Sequence, residues 1–265
     1  MKNIFIEGLQ GAGKSTLMNY IAGKNPGLHI CREGDYNPVD TAWCAYMSPG
    51  EYEGILKRYE ILSEEIKTNT FREEDKLLVT YTRIITDVPG FHKDMESYEL
   101  YGGRQKVEKM QEIVLSRYSK FNGDGYLFEC AFFQNLMEEF LLFGLMEDRQ
   151  VMAFYEKLFE KMDKQRFMLI YLHSENVEDN IRIIRRERSD ESGNEMWYPL
   201  MFEYYKESPY GRKNGCDSFE DLIAYLERRQ QLELRIMREI IGDNGVILSS
   251  KDWKTEEVDG LTEEC

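Results

Sequence analysis

"NIFIEGLQGAGKSTLMNYIAG", residues 3–23, decides how the rest of the chain is read. Residues 3–8 are largely apolar and rich in Ile and Phe, as expected for a short buried parallel strand. "GLQGAGKST" (8–16) then satisfies G-x-x-x-x-G-K-[ST], with Gly8, Gly13, Lys14 and Ser15 at the required places. A helical stretch, "STLMNYIAG", follows directly, so both flanks agree with a phosphate-binding loop and not with a chance glycine turn. Glycines let such a loop point its N–H groups inward, and the helix N-terminus adds partial positive charge. Gly8, Gly11, Ala12, Gly13, Lys14, Ser15 and Thr16 are therefore expected to hold a nucleoside triphosphate, ATP first among them. Lys14 would reach the β- and γ-phosphates, and the Ser15 hydroxyl would ligate Mg2+.

Similar strand-like runs occur at 28–34, 125–130, 167–173 and 245–250. Helical periodicity occupies 14–23, about 51–69, 104–120, 134–162, 175–188 and 218–241. This alternation predicts an α/β fold, a five-stranded parallel sheet with helices on both faces. Residues 1–250 read as one domain, with an irregular insertion at about 70–103 and an acidic, disordered tail at 251–265. Ser218, with Asp221 three residues on, predicts a capping box, and Ser174 is the expected N-cap of the 175–188 helix.

Apolar residues make up 42% of the 265, enough for a sizeable core. A formal net charge of −15 argues against nucleic acid or anionic membranes as partners. It leaves a local anion site open, because the Debye length is about 8 Å at physiological salt. Five scattered cysteines without C-x-x-C spacing, and an N-terminus with no signal-peptide pattern, predict a cytoplasmic protein with reduced thiols. His29, His92 and His173 are too dispersed to suggest a metal site, and the aromatic residues of 132–159 read as helix core.

"TDVPG" (86–90) could pass for a GTPase switch, but no N-K-x-D or T-K-x-D guanine motif accompanies it, so Pro89-Gly90 reads as a turn. Small phosphotransferases remain the leading class. In so acidic a chain, "RIIRRER" (182–188) gathers four arginines, either as a solvated helix end or as a cover over something anionic. "RIIRRERSDE" resembles the lid of deoxyribonucleoside kinases, R-I-x-x-R-x-R-x-E-E, with Asp190 in place of the first Glu. The resemblance implies that Arg186 and Arg188 contact phosphates of the donor and transition state over a lid of about 182–195. Arg182 and Arg185 are expected to be structural or paired with nearby acids.

The same family has a carboxylate followed by Arg-Ser at the end of its third strand, and here Glu129 matches the carboxylate, which would help hold Mg2+ and border the substrate. Cys130 and Ala131 replace the Arg-Ser, and Arg83 in "TYTRII" is the candidate substitute for the missing arginine. "CREGDYNPVDTAW" ends the second strand where the family places the carboxylate that accepts the sugar hydroxyl's proton. Glu33 is the first candidate and Asp35 the second, with Trp43 lining the acceptor pocket. "REG" also resembles the R-E-P of thymidylate kinases, in which case Arg32 would grip an acceptor phosphate. A structural salt bridge at a strand end is the plain alternative.

These readings together predict an ATP- and Mg2+-dependent kinase that phosphorylates the 5′-hydroxyl of a small acceptor, a nucleoside or deoxynucleoside. Alternatives are a nucleoside monophosphate kinase, a kinase of another hydroxyl compound, and a nucleotide-binding regulatory module. Deoxyribonucleoside kinases are often dimers, which makes helix 134–162 the place to look for a homodimer interface.

Overall fold

A computed structural model describes residues 1–262. Its eight strands are, in chain order, Asn3–Gly8 (β1), His29–Cys31 (β2), Ala45–Met47 (β3), Thr70–Glu73 (β4), Lys76–Val79 (β5), Tyr126–Glu129 (β6), Phe167–His173 (β7) and Gly245–Ser249 (β8). The chain divides into two compact units, Met1–Ile30 with Asn122–Cys265, and Cys31–Phe121.

The first unit is built on a five-stranded parallel sheet in the order β2-β6-β1-β7-β8. All six residues of β1 are buried, so its side chains serve both faces. Ile4 and Ile6 face one way and pack with Leu127, Ile170 and Leu172 against Leu17, Met18 and Ile21 of the helix Lys14–Lys24. Phe5 faces the other way, stacked on Phe128 with ring centroids 4.6 Å apart and 6.1 Å from Phe132. Phe132 in turn meets Tyr155 of the helix Asp148–Glu160. Helices thus cover both faces, and the architecture is compatible with a P-loop kinase-like fold.

The register fixes where chemistry can gather. β1 is central, with Ile6 beside Glu129 of β6 and Gly8 beside Leu172 of β7. The chain leaves β1 toward β2 on one side and later reaches β7 and β8 on the other, so the loop after Gly8 lies where the strand order reverses. In open α/β sheets that is where ligands bind.

Several elements differ from their sequence reading. The stretch 134–162 is not one helix: Gln134–Glu138 runs into a π-helical turn at Glu139–Phe143, and Asp148–Glu160 starts after Leu145, whose φ is +48°. The stretch 51–69 likewise splits into Pro49–Arg58 and Ser63–Thr68. Asn176, not Ser174, caps the helix Val177–Glu187, because Gln230 clamps both backbone groups of Ser174 into the end of β7. Ser218 and Asp221 do form a capping box on Phe219–Ile236.

Instead of a disordered tail, residues 255–262 form a helix whose fully buried Val258 joins the core on the Leu17 side. Asp259 holds it to Tyr20 (2.8 Å) and Lys24 (3.3 Å); residues 263–265 lie outside the described residues.

In the second unit β3, β5 and β4 form an antiparallel sheet, so much of the expected irregular stretch 70–103 is regular. Its core contains Ala45, Met47, Ile55, Tyr59, Val79, Phe91 and Met95. Pro89-Gly90 is a turn, with Gly90 at φ +81° starting the helix Phe91–Glu96.

Candidate functional site

The loop between β1 and its helix owes its path to contacts that exclude side chains. At Gly8, φ is +141° and a Cβ would fall 2.6 Å from the Leu172 carbonyl oxygen. At Gly11, φ is +78° and a Cβ would lie 3.1–3.3 Å from the Ile184 side chain, tight against the helix Val177–Glu187. Gly13 caps the following helix, and buried Ala12 donates its N–H to Leu9 and accepts the Ser250 hydroxyl at 2.8 Å. Ser15 and Thr16 are exposed in the first helical turn.

Lys14 is only 7% exposed, and its ammonium donates to the carbonyls of Gly8 (2.9 Å) and Leu9 (3.0 Å). Among the described residues no carboxylate lies within ion-pair distance of it. Burying an ammonium without a direct ion pair is costly, and Glu7, which acts on it electrostatically, is itself buried with its carboxyl pushed up to about 7, so it offsets that charge only in part. An anion seated against the loop would relieve that cost.

Ser15 donates its hydroxyl to the Glu129 carboxylate at the end of β6, and Glu129 is 8% exposed. The pair is all-oxygen, which suits Mg2+, and two protein ligands are what this ion usually takes beside phosphates and water. No group of three or more His, Cys, Asp or Glu able to hold a metal occurs among the described residues. Ser15 and Glu129 thus fit a Mg2+ carried in with a triphosphate better than a dedicated protein cage.

After Glu129 the chain turns through Cys130 at φ +61°, unusual for a side-chain-bearing residue. Its thiol is buried against Gln134 Oε1 at 3.4 Å, so an apolar, uncharged side chain stands where the family resemblance leads one to expect arginine.

Glu7 is a site residue that the sequence reading passed over as part of the strand. It is fully buried one residue before the loop and accepts N–H groups from Phe132 (2.5 Å) and Gln134 (3.2 Å). Burial pushes its carboxyl up to about 7, against the lowering pull of those N–H groups and of Lys14. The signal was available: an acid inside an apolar run, directly before the first loop glycine.

The four arginines of 182–188 separate. Arg182 pairs with Glu178 at 2.6 Å and lies over Phe219. Arg185 makes a two-pronged contact with Glu195 (2.8 and 3.0 Å) and stacks 3.9 Å from the Tyr198 ring centroid. The hydrogen bond to Glu195 raises its already high pKa. Arg188 lies 4.9 Å over Trp197. Arg186 makes no side-chain ion pair or ring contact among the described residues.

The remaining candidates share the second unit and come together there. Arg32 N donates to Asp35 Oδ2 at 3.0 Å, and Asp35 forms an ion pair with Arg83. Trp43 Nε1 donates to Glu33 Oε1 at 2.9 Å. Trp43 has φ +62° and is 45% exposed, a strained backbone that leaves a large aromatic face open. With Asp35 on Arg83, that arginine's charge is largely spent within the cluster.

No helix among the described residues is long and apolar enough to cross a membrane. Neither a scan of the chain against protein-family models nor a search of curated proteins returns a match.

Proposed function

We propose that this chain is a phosphotransferase that moves the γ-phosphoryl group of ATP to a hydroxyl of a small acceptor, a nucleoside by preference. The observation that carries the reading is Lys14, buried at the mouth of the loop and bonded, among the described residues, to the main-chain carbonyls of Gly8 and Leu9. In this reading its ammonium leaves those carbonyls for the β/γ-phosphate oxygens. Loop N–H groups and the helix N-terminus hold the remaining phosphate charge. Ser15 and Glu129 would hold Mg2+, which neutralises phosphate charge when bound. Arg186, whose side chain has no ion pair or ring contact among the described residues, turns toward the transferring group, and Arg188 exchanges Trp197 for phosphate as the lid closes. One such arginine is worth roughly 10³–10⁵ in rate.

On the acceptor side, Glu33 takes the proton from the attacking hydroxyl, oriented for it by Trp43, whose open face stacks the acceptor. The pairing of Arg83 with Asp35 favours a neutral acceptor over a monophosphate, which would need an uncommitted cation. It also weakens Arg83 as the stand-in for the arginine that Cys130 displaces.

A coupled ATP-consumption assay against nucleosides, their monophosphates and no acceptor tests this directly. Turnover that requires a nucleoside is the expected result. Turnover only with monophosphates would move the acceptor role to Arg32, and ATP binding without acceptor-dependent turnover would make the chain a regulatory module.

A further inference from the structure

Gln10, which is neither glycine nor catalytic in the reading above, is the residue at which the phosphate loop is tied to the rest of its unit. Its main-chain carbonyl accepts a hydrogen bond from Asn180 Nδ2 at 2.7 Å. Asn180 lies on the arginine-bearing helix Val177–Glu187, one turn before Ile184, whose side chain packs on Gly11. The Gln10 side chain is held separately: Nε2 donates to Glu138 Oε1 at 2.5 Å, and Arg229 Nη1 donates to the same oxygen at 2.9 Å. Arg229 is fully buried and passes the chain of contacts on, through Glu233 (2.7 Å), to the Tyr171 hydroxyl in β7 (2.6 Å). One end of this joint is therefore anchored in the sheet and the other in the helix that carries Arg186.

The joint is not what packing alone would select. The Oδ1 of Asn180 and the Oε1 of Gln10 are buried and have no hydrogen-bond partner among the described residues. A buried, half-satisfied amide is costly, whereas a leucine of similar size has nothing to satisfy. We propose that Asn180 and Gln10 are positioning residues: they set the arginine helix in register with the phosphate loop, so that Arg186 meets the transferring group when the loop is occupied. This role rests on the phosphotransferase reading.

Function is then expected to fall without a matching loss of stability. Asn180→Leu removes the orphaned Oδ1 but leaves the Gln10 carbonyl without its donor, so the two effects oppose each other and the unfolding midpoint is expected to move little. In the same protein kcat should fall on the order of 10²-fold, the cost of misplacing a reacting group by about 1 Å. The dissociation constant for Mg-ATP, measured at equilibrium, should stay within about threefold, since Lys14 and the loop N–H groups are untouched. Gln10→Leu, which cuts the other tether, should show the same split, and the double variant should lose less than the two single losses combined.

A kcat within about twofold of wild type in both folded variants would overturn the proposal while leaving the phosphotransferase reading intact. So would a parallel loss of kcat and ATP affinity, which is the signature of a merely damaged loop. A wild-type protein that turns over no acceptor would overturn the underlying reading, and this role with it, before any substitution is made.

Discussion

Two carboxylates illustrate how residue environment separates roles. Glu33 is exposed and accepts the Trp43 indole N–H, whereas Glu7 is fully buried one residue before the loop that follows β1. For Glu33→Gln the expected outcome is a loss of kcat of at least about 10²-fold, within the usual range for a general base, with ATP affinity unchanged. Steady-state kinetics beside equilibrium titration would separate the two, and a loss confined to ATP affinity would make Glu33 structural.

Glu7 should register in stability. Its carboxyl is raised from 4.5 to about 7 by burial, so between those values the folded state binds more protons than the unfolded chain. Its contribution is therefore most favourable below about pH 4.5 and is lost as pH rises through 7, a change of order 3 kcal/mol at about 1.4 kcal/mol per pH unit. Thermal unfolding of Glu7→Gln between pH 5 and 8 should lack this component of the fall in Tm; identical slopes in variant and wild type would show that Glu7 does not titrate there.

At the scale of elements, the arginine helix divides labour along its length. Arg185, with its two-pronged carboxylate and its Tyr198 ring, holds the helix to the turn that follows, whereas the Arg186 side chain makes no ion pair or ring contact among the described residues. Arg185→Ala should cost about 1–3 kcal/mol in denaturant unfolding, the range for a charge-assisted hydrogen bond with a ring contact. Arg186→Ala should leave unfolding unchanged and lower kcat by about 10³-fold or more. The reverse pattern would exchange their roles.

Which elements were legible follows from how they are stabilised. β1, β6 and β7 stood out because strands buried on both sides demand continuous apolar runs. β4, by contrast, is four residues long with exposed Phe71 and Arg72, so nothing in its pattern marks a strand, and its ladder to β5 alone makes it one. The helix Thr255–Thr262 hid behind acidic composition, and it docks through buried Val258, with Leu261 packed beside it, and through Asp259 bonded to Tyr20 and Lys24.

Across the whole molecule, the net charge of −15 coexists with a buried Lys14 that has no direct ion pair among the described residues and with a helix that bears three arginines and ends on a fourth. The path of the loop after β1 was legible because backbone geometry dictates its glycines: a side chain at Gly8 would meet a carbonyl and one at Gly11 would meet Ile184. The ties that position the loop were not legible, since Gln10, Glu138, Asn180 and Arg229 are far apart in sequence and meet only through the sheet order. Nor was the gathering of Arg32, Glu33, Asp35, Trp43 and Arg83, which depends on a turn bringing Arg83 back to Asp35.

The buried ammonium is the centre of this account, and calorimetric titration of ATP in Mg2+ tests it most directly. Wild type should bind one equivalent, and Lys14→Ala, still folded, should bind at least about 10²-fold more weakly, the loss of about 2.7 kcal/mol expected when a desolvated charge contact is removed. Absence of binding to wild type, or equal affinity in the variant, would contradict the assignment of this loop as a triphosphate site.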